Sequence, residues 1–452
     1  MKILLIKILS LILIISSFNI LYPFFISPYI NYNFNSDSEF YPTSGQNLNY
    51  LHIGLNFNHN HEKIQLFSNF SYHLYDGINQ KPNDFNSFGG FGFIENNSGL
   101  SSKQFNYFFT SMRMTYNKQN FNFYMALDNP KWGPGINKIV LSDKAPPFFN
   151  IGYQWKLTDK LSYEHLYGKL NSLIEDTLYL NLYDTDDSRF SELPRAINAH
   201  RIDYTASDVL SIGLFEMIVY GGYRKVEPYY LLPLIPFLPI QTYLGDLDND
   251  LLGTYININL KNVKFYSSLA IDEWVPLDTF KKNHKNWFVY QFGIIFKPNF
   301  FKGFKESITI EYIQSDNRVY NHKFPINSFY SYDYPLGFWG GPHAEQFYFF
   351  YIQESKKVDF KIEVSHSKRG ESIYGYGNNF IDRYSGTVER KQKITLSANY
   401  RYNKRINYNF GFSIISWNNA GFNPFNENTE KRNIVKKDIQ IGINYDFKEY
   451  KL

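Results

Sequence analysis

Asp272 and Glu273 are the residues that most directly raise the question of catalysis in this chain of 452 residues. Paired carboxylates split glycosidic bonds, one as acid and one as base or nucleophile. Adjacent residues on an extended strand, however, point to opposite faces, so these two cannot flank one bond. Asp128 could pair with Asp272 instead, at a separation the sequence does not fix. No G-x-S-x-G elbow and no H-E-x-x-H pair is present. His59 and His61 stand near Glu62 at a spacing that binds metal weakly, and a solvated turn is the plainer reading. With 0 Cys there is no thiol nucleophile, thiolate metal site or disulfide framework. The reading is a non-enzyme without a cofactor or metal.

The elements that would carry such residues repeat with a period of two. Ile53, Leu55 and Phe57 alternate with His52, Gly54 and Asn56, and Ile64 to Leu74 continues after a turn at 59–62. Met112 to Tyr116, Phe121 to Leu127, Ile256 to Ile271, Val358 to Val364, Ile394 to Tyr400 and Ile439 to Phe447 follow the same rule. Alternation gives each strand one apolar and one polar face. Strands of about 8–10 residues exceed the usual soluble length, and they recur without a linker. About 425 residues after the leader, at about 24 per strand and connection, give an all-β transmembrane antiparallel β-barrel of about 16–18 strands. Aromatic residues make up 19% of the chain, which suits interfacial girdles.

Residues 1–26 read as a signal peptide: Lys2 and Lys7 precede an apolar run from Ile8 to Phe18, with cleavage placed between Ser17 and Ser27. A retained signal anchor is the alternative. Residues 27–452 form the barrel, located in the outer membrane of a Gram-negative-type (diderm) bacterium with lipid as its surroundings. The formal net charge of +4 carries no basic stripe, so nucleic acid is not a partner. Nothing in the sequence fixes an oligomeric state. One segment breaks the alternation: EPYYLLPLIPFLPIQTY, 227–243, whose prolines cannot sit in a central ladder. It reads as a loop folded into the lumen or packed on the rim, with a linker between two domains as the alternative.

A second interruption is MALDNPKWGPGINKIVLSDKAPPF, 125–148. Gly133 and Gly135 flank Pro134, and Pro146-Pro147 ends the following alternation. The plain reading is a sharp turn with Trp132 as an interfacial anchor. This stretch also resembles the signature of the Wzi-type capsule-assembly outer-membrane proteins. HRIDYTASDVLSIGLFEMIVYGG (200–222), DLDNDLLGTYININLKNVKFYSSLAIDEW (246–274) and YPLGFWGGPHAEQFYFFY (334–351) resemble further segments of that family in the same order. The resemblance covers about half of the chain, from Asp128 to Tyr351. It implies a barrel that holds surface polysaccharide and helps order a capsule, lectin-like and without turnover. It also makes Gly133, Pro134, Gly135, Pro146 and Pro147 a structural signature.

Sugar binding needs flat aromatic faces and a few planar polar partners. The candidates are Trp132, Trp274, Trp339, Tyr220 and Tyr223, with Asp128, Glu216, Arg224, Asp272 and Glu273 as polar partners. Strand phase sends Asp272, with Lys264, Tyr266 and Ser268, to the lumen, and Asp128 with Asn122 and Tyr124 likewise. The plainer reading of these charges is a lumenal ion-pair lattice. The competing function is a porin or substrate-specific channel, built on the same barrel.

Overall fold

The computed structural model describes residues 24–78, 81–92, 103–178, 191–224, 226–279, 281, 286–372, 383–384, 386–425 and 432–451. The expected signal peptide lies outside these residues except for its end, where Phe25 and Ile26 already belong to the first strand.

The alternating segments become strands β1 (Phe25–Asn35), β2 (Leu48–His61), β3 (Ile64–Asp76), β4 (Gln104–Lys118), β5 (Phe121–Asp128) and β6 (Phe148–Lys156). They continue as β7 (Leu161–Leu170), β8 (Arg195–Thr205), β9 (Leu210–Gly221), β10 (Asn249–Asn259), β11 (Val263–Glu273), β12 (Trp287–Phe296) and β13 (Lys305–Ser315). A two-strand hairpin, β14 (Tyr330–Ser331) and β15 (Tyr334–Pro335), stands apart from the wall. The wall resumes with β16 (Ala344–Glu354), β17 (Val358–Gly370), β18 (Val388–Arg401), β19 (Ile406–Ala420) and β20 (Arg432–Asp446). Consecutive wall strands pair antiparallel, and β1 pairs with both β2 and β20, so the sheet closes into an 18-strand barrel. The short β21 (Tyr450–Lys451) adds to the edge of β1.

Closure satisfies every strand edge, which is what a sheet needs to cross lipid. Leu214, Ile256, Phe292, Phe347, Ile394 and Ile441 point outward and are exposed, forming the apolar belt. Phe121, Trp155 and Tyr204 stand at the short-turn end of that belt as an aromatic girdle. An even-numbered closed barrel with such a belt is the architecture of bacterial outer-membrane proteins, and it places the chain in that membrane. Connections at one end are short, such as 62–63 and 119–120, while those at the other end are long, including 77–103, 129–147, 222–248 and 316–343. Short turns face the periplasm and long loops the exterior. The turn expected at 59–62 is narrower than the sequence implied, because His61 still pairs with Ile64 and leaves Glu62 and Lys63 to reverse the chain.

Four lumenal tyrosines lie over glycines directly opposite on the neighbouring strand: Tyr29 over Gly54, Tyr124 over Gly152, Tyr255 over Gly213 and Tyr266 over Gly293. Glycine leaves the space that the ring fills, and a β-carbon at 293 would collide with the Tyr266 ring. Tyr266 cannot swing aside freely, because its hydroxyl donates to Glu311 at 2.6 Å. Gly293→Val is therefore expected to cost about 1–3 kcal/mol through overpacking, read as a fall in the urea midpoint of the folded barrel. An unchanged midpoint would show that the ring has room to move.

Candidate functional site

The lumen is where the chain concentrates buried side chains, and the interruption at 129–147 explains why. Gly133 (φ 93°) and Gly135 (φ 80°) adopt the left-handed backbone that turns the chain inward. Trp132 and Leu141 form an isolated antiparallel bridge, with Trp132 N donating to Leu141 O at 3.1 Å. The inward tip is held by one carboxylate of the wall. Glu311 of β13 accepts from Ile136 N (3.0 Å), Asn137 N (3.1 Å) and Asn137 Nδ2 (2.7 Å). It also accepts from Gln291 Nε2 at 2.9 Å and from the Tyr266 hydroxyl. A side chain at 135 would collide with Glu311 and Gln291, so only glycine brings the loop this close. Lys138 Nζ donates to Gly133 O and Gly135 O at 2.8 and 2.7 Å, tying the turn to itself.

Residues 316–343 fold inward from the same end. Tyr320 N donates to Asp272 at 2.6 Å, and the Tyr320 hydroxyl donates to Ile139 O at 2.9 Å. Ser142 N donates to Leu336 O at 2.7 Å, which joins the two inward loops. Arg195 of β8 donates to Ile326 O, Tyr330 O and Pro325 O. Trp132, Val140, Leu141, Tyr320, Phe329, Leu336 and Phe338 thus form one apolar core. Wall residues such as Tyr124, Leu166, Ile197, Met217, Ala270, Val289, Ile313 and Trp417 complete it. The sequence implied a wet lumen; part of it is instead a packed plug.

Polar space remains beside the plug. A cavity of about 250 Å³ is lined by Asn137, Lys138, Lys144, Trp339, Glu363 and Lys393 among others. A second, of about 330 Å³, shares Glu39 and is edged by Phe40, Tyr50, Tyr75 and Phe88. A third, of about 400 Å³, opens at the short-turn end around Glu164, Arg201 and Asp203. Glu39 receives Lys391 at 2.9 Å and Lys393 at 2.7 Å. Burial works to raise its pKa, but the two lysines hold it well below the usual carboxylate range. Lys144 donates to Asn86 O (2.7 Å) and Phe88 O (3.1 Å), and burial pulls its ammonium down to about 7 against the attraction of Asp84. Convergent charged donors and acceptors next to aromatic edges can hold hydroxyl-rich ligands.

The expected site residues do not form one site. Asp128, Trp132, Asp272 and Trp339 belong to the lumen and its plug. Asp128 receives Arg113 Nε at 2.6 Å and Asn150 Nδ2 at 3.0 Å, a member of the lumenal ion-pair lattice. Trp132 is 2% exposed, with Arg201 at 5.0 Å from its ring, so it is no interfacial anchor: the glycines turn it into the core. Trp339 lines the 250 Å³ cavity and donates to Gln346 at 3.3 Å. Glu216 and Tyr220 are a correction, since both share the outward phase of Leu214 and face away from the lumen. Arg224 pairs with Asp248 beside them. Tyr223 and Trp274 are exposed on the long loops, Tyr223 bonded to Asp176 at 3.1 Å and Trp274 to Thr279 at 3.1 Å. Glu273 follows a register shift after Ile271 and is exposed. Pro146 and Pro147 end the inward loop before β6.

Sequence reasoning missed Glu311, Gln291, Glu39, Lys144 and Lys393. A signal existed for Glu311, which stands in the polar phase between Ile310 and Tyr312. The others meet partners on inward loops remote in sequence: Gln291 meets Asn137, Lys144 meets Asn86 and Phe88, and Lys393 meets Glu39.

No protein-family model matches the chain, and no curated protein sequence matches it. Its fold is similar to that of Wzi from Escherichia coli, described as a carbohydrate-binding β-barrel involved in group 1 capsule assembly. That likeness has a TM-score of 0.57 at 14% identity and covers 93% of this chain and 84% of that one. OccAB2 from Acinetobacter baumannii (TM-score 0.48, 11% identity, 95% and 98% covered) is a more distant likeness. OpdK from Pseudomonas aeruginosa, crystallised with vanillate (TM-score 0.45, 8% identity, 94% and 99% covered), is another.

Proposed function

We propose that this outer-membrane barrel binds surface polysaccharide from its long-loop side and helps attach or organise a capsule or exopolysaccharide layer, without chemical turnover. The observation that carries the reading is the plug. Two loops from the long-loop end fill the lumen with an apolar core and leave beside it polar cavities edged by Trp339, Phe40 and Phe88. A wall built to conduct gains nothing from burying Trp132, Phe329 and Phe338 in its own lumen, whereas a rigid platform for a ligand does. The four ordered segments resembling the Wzi-type family, and the fold likeness to a carbohydrate-binding barrel, support the same reading. Trp339 with Lys393 and Gln346 would form the lumenal contact, and the exposed Tyr223 and Trp274 offer faces on the outer loops.

The test combines two measurements on one preparation: binding of the refolded protein to the host's purified surface polysaccharide, and single-channel conductance in a planar bilayer. Saturable binding with little or no conductance is expected. A steady open conductance with no binding would replace this reading with that of a substrate-specific channel.

A further inference from the structure

Between β7 and β10 the lipid-facing side of the wall departs from the rest of the belt. Tyr163 and His165 on β7, Asn198 and His200 on β8, and Glu216 on β9 all point outward. Asp250, opposite Ile218 on β10, shares that face and is 8% exposed. Ionisable side chains directed at hydrocarbon are costly and rare unless something covers and pairs them.

The cover is the proline-rich segment expected in the lumen or on the rim. From Gly221 the chain turns back over the outside of the wall through a 3-10 turn (Pro228–Leu231) and the short helix α1 (Phe237–Tyr243). Tyr230 and Phe237 are 0% exposed against the wall, and Phe237 stacks on His200 at 4.2 Å. The polar wall groups meet the backbone of the cover. Glu216 accepts from Phe237 N (2.7 Å) and Leu238 N (2.9 Å), with His200 Nε2 at 2.9 Å. The Tyr163 hydroxyl accepts from Leu234 N at 3.1 Å, and Asn198 Nδ2 donates to Tyr230 O at 3.0 Å.

Irregular backbone is tolerated at membrane depth only where its polar groups are satisfied. This segment meets that condition in two ways. Its prolines at 228, 233, 236 and 239 carry no N–H, and the wall supplies acceptors for Leu234, Phe237 and Leu238. On the far side Leu231, Leu232, Leu234, Ile235 and Leu238 are exposed, and no charged residue occurs from Pro228 to Leu244. Glu216 lies five residues from the end of β9, about 17 Å along the strand at about 3.3 Å per residue, which a strand tilt of about 40° makes about 13 Å of depth. The apolar band of such barrels is about 25 Å tall, so the segment reaches well below the outer rim. Its exposed side continues the belt at Leu214, which is 56% exposed.

We propose that residues 227–244 form a flap immersed in the outer leaflet, latched to the wall by Glu216, with lipid acyl chains as the occupant of its exposed face. Lipid is favoured over a second copy of the chain because the face is uncharged and continuous with the belt.

The chain contains 0 Cys, so single cysteines can be introduced and spin-labelled without further changes. In phosphatidylethanolamine–phosphatidylglycerol vesicles, labels at Leu234→Cys and Leu238→Cys are expected to collide with oxygen several-fold more than with a water-soluble nickel chelate. They should match a belt label at Leu214→Cys and differ from Val209→Cys on a short turn. Nickel access equal to that at 209 would overturn the proposal. Spin–spin coupling between labels with both reagents excluded would also overturn it, in favour of a second copy. Adding Glu216→Ala should raise nickel access at 234 several-fold while the label at 214 stays unchanged and reports an intact barrel. Glu216→Gln, which keeps one acceptor, should fall between. No change at 234 in either variant would remove Glu216 as the latch.

Discussion

Glu311→Ala is expected to open the lumen. The carboxylate is 1% exposed, and five donors converge on it: three from residues 136 and 137, with Gln291 and Tyr266 beside them. Hydrogen bonds to a charged acceptor contribute about 1.5–3 kcal/mol each, and buried donors left without a partner cost about as much again per group. These terms are not additive. A net loss of roughly 3–5 kcal/mol for the docked state of residues 129–147 is the expectation. The wall itself has its own ladder of backbone bonds and survives. The measurement is single-channel conductance, with the variant giving frequent, long openings where the native protein gives few. Glu311→Gln should be intermediate, because an amide keeps one acceptor but turns an NH₂ group toward Ile136 N or Asn137 N. If the alanine variant conducts like the native protein, the loop is held by the apolar core alone.

Trp132→Ala is expected to impair folding and insertion more than ligand binding. The side chain is among the largest buried in the molecule, and truncating such a residue costs about 3–5 kcal/mol through lost burial and the cavity left behind. Arg201 would also lose the ring beneath it, a contact of about 0.5–2 kcal/mol. The readouts are the yield of folded protein in vesicles and the temperature at which the folded gel band converts. Both should fall, and Trp132→Phe should recover much of the difference. Polysaccharide affinity of the fraction that inserts should fall less than folding and insertion do, because the indole is enclosed by the plug and does not line the cavity. Normal insertion with lost binding would reverse this assignment and make Trp132 a ligand contact.

The two variants separate the forces acting on one loop. Glu311 fixes its tip through hydrogen bonds, and Gly135 permits that approach only because it has no side chain. Trp132 fixes its base through burial. A loop held at both ends in this way is a rigid floor for the cavity that Asn137 and Lys138 line.

The wall is legible in the amino-acid order alone. A period of two is a property of extended backbone, so it reports which residues share a face without knowledge of their neighbours. Alternation puts Asp128 and Asp272 on the lumenal face, and the strand count and the belt follow from the same pattern. The same alternation marks the covered patch: Glu216 stands in the outward phase between Leu214 and Ile218, where an acid requires a cover. Where the interruptions go depends instead on contacts between distant parts of the chain. The segments 125–148 and 227–243 both break the alternation with prolines, yet one enters the lumen and the other lies on the outer wall. Their direction depends on which wall groups await them, Glu311 inside and Glu216 with Tyr163 outside. Those partners lie on different strands, and alternation orders residues along one strand while closure of the barrel alone brings different strands together.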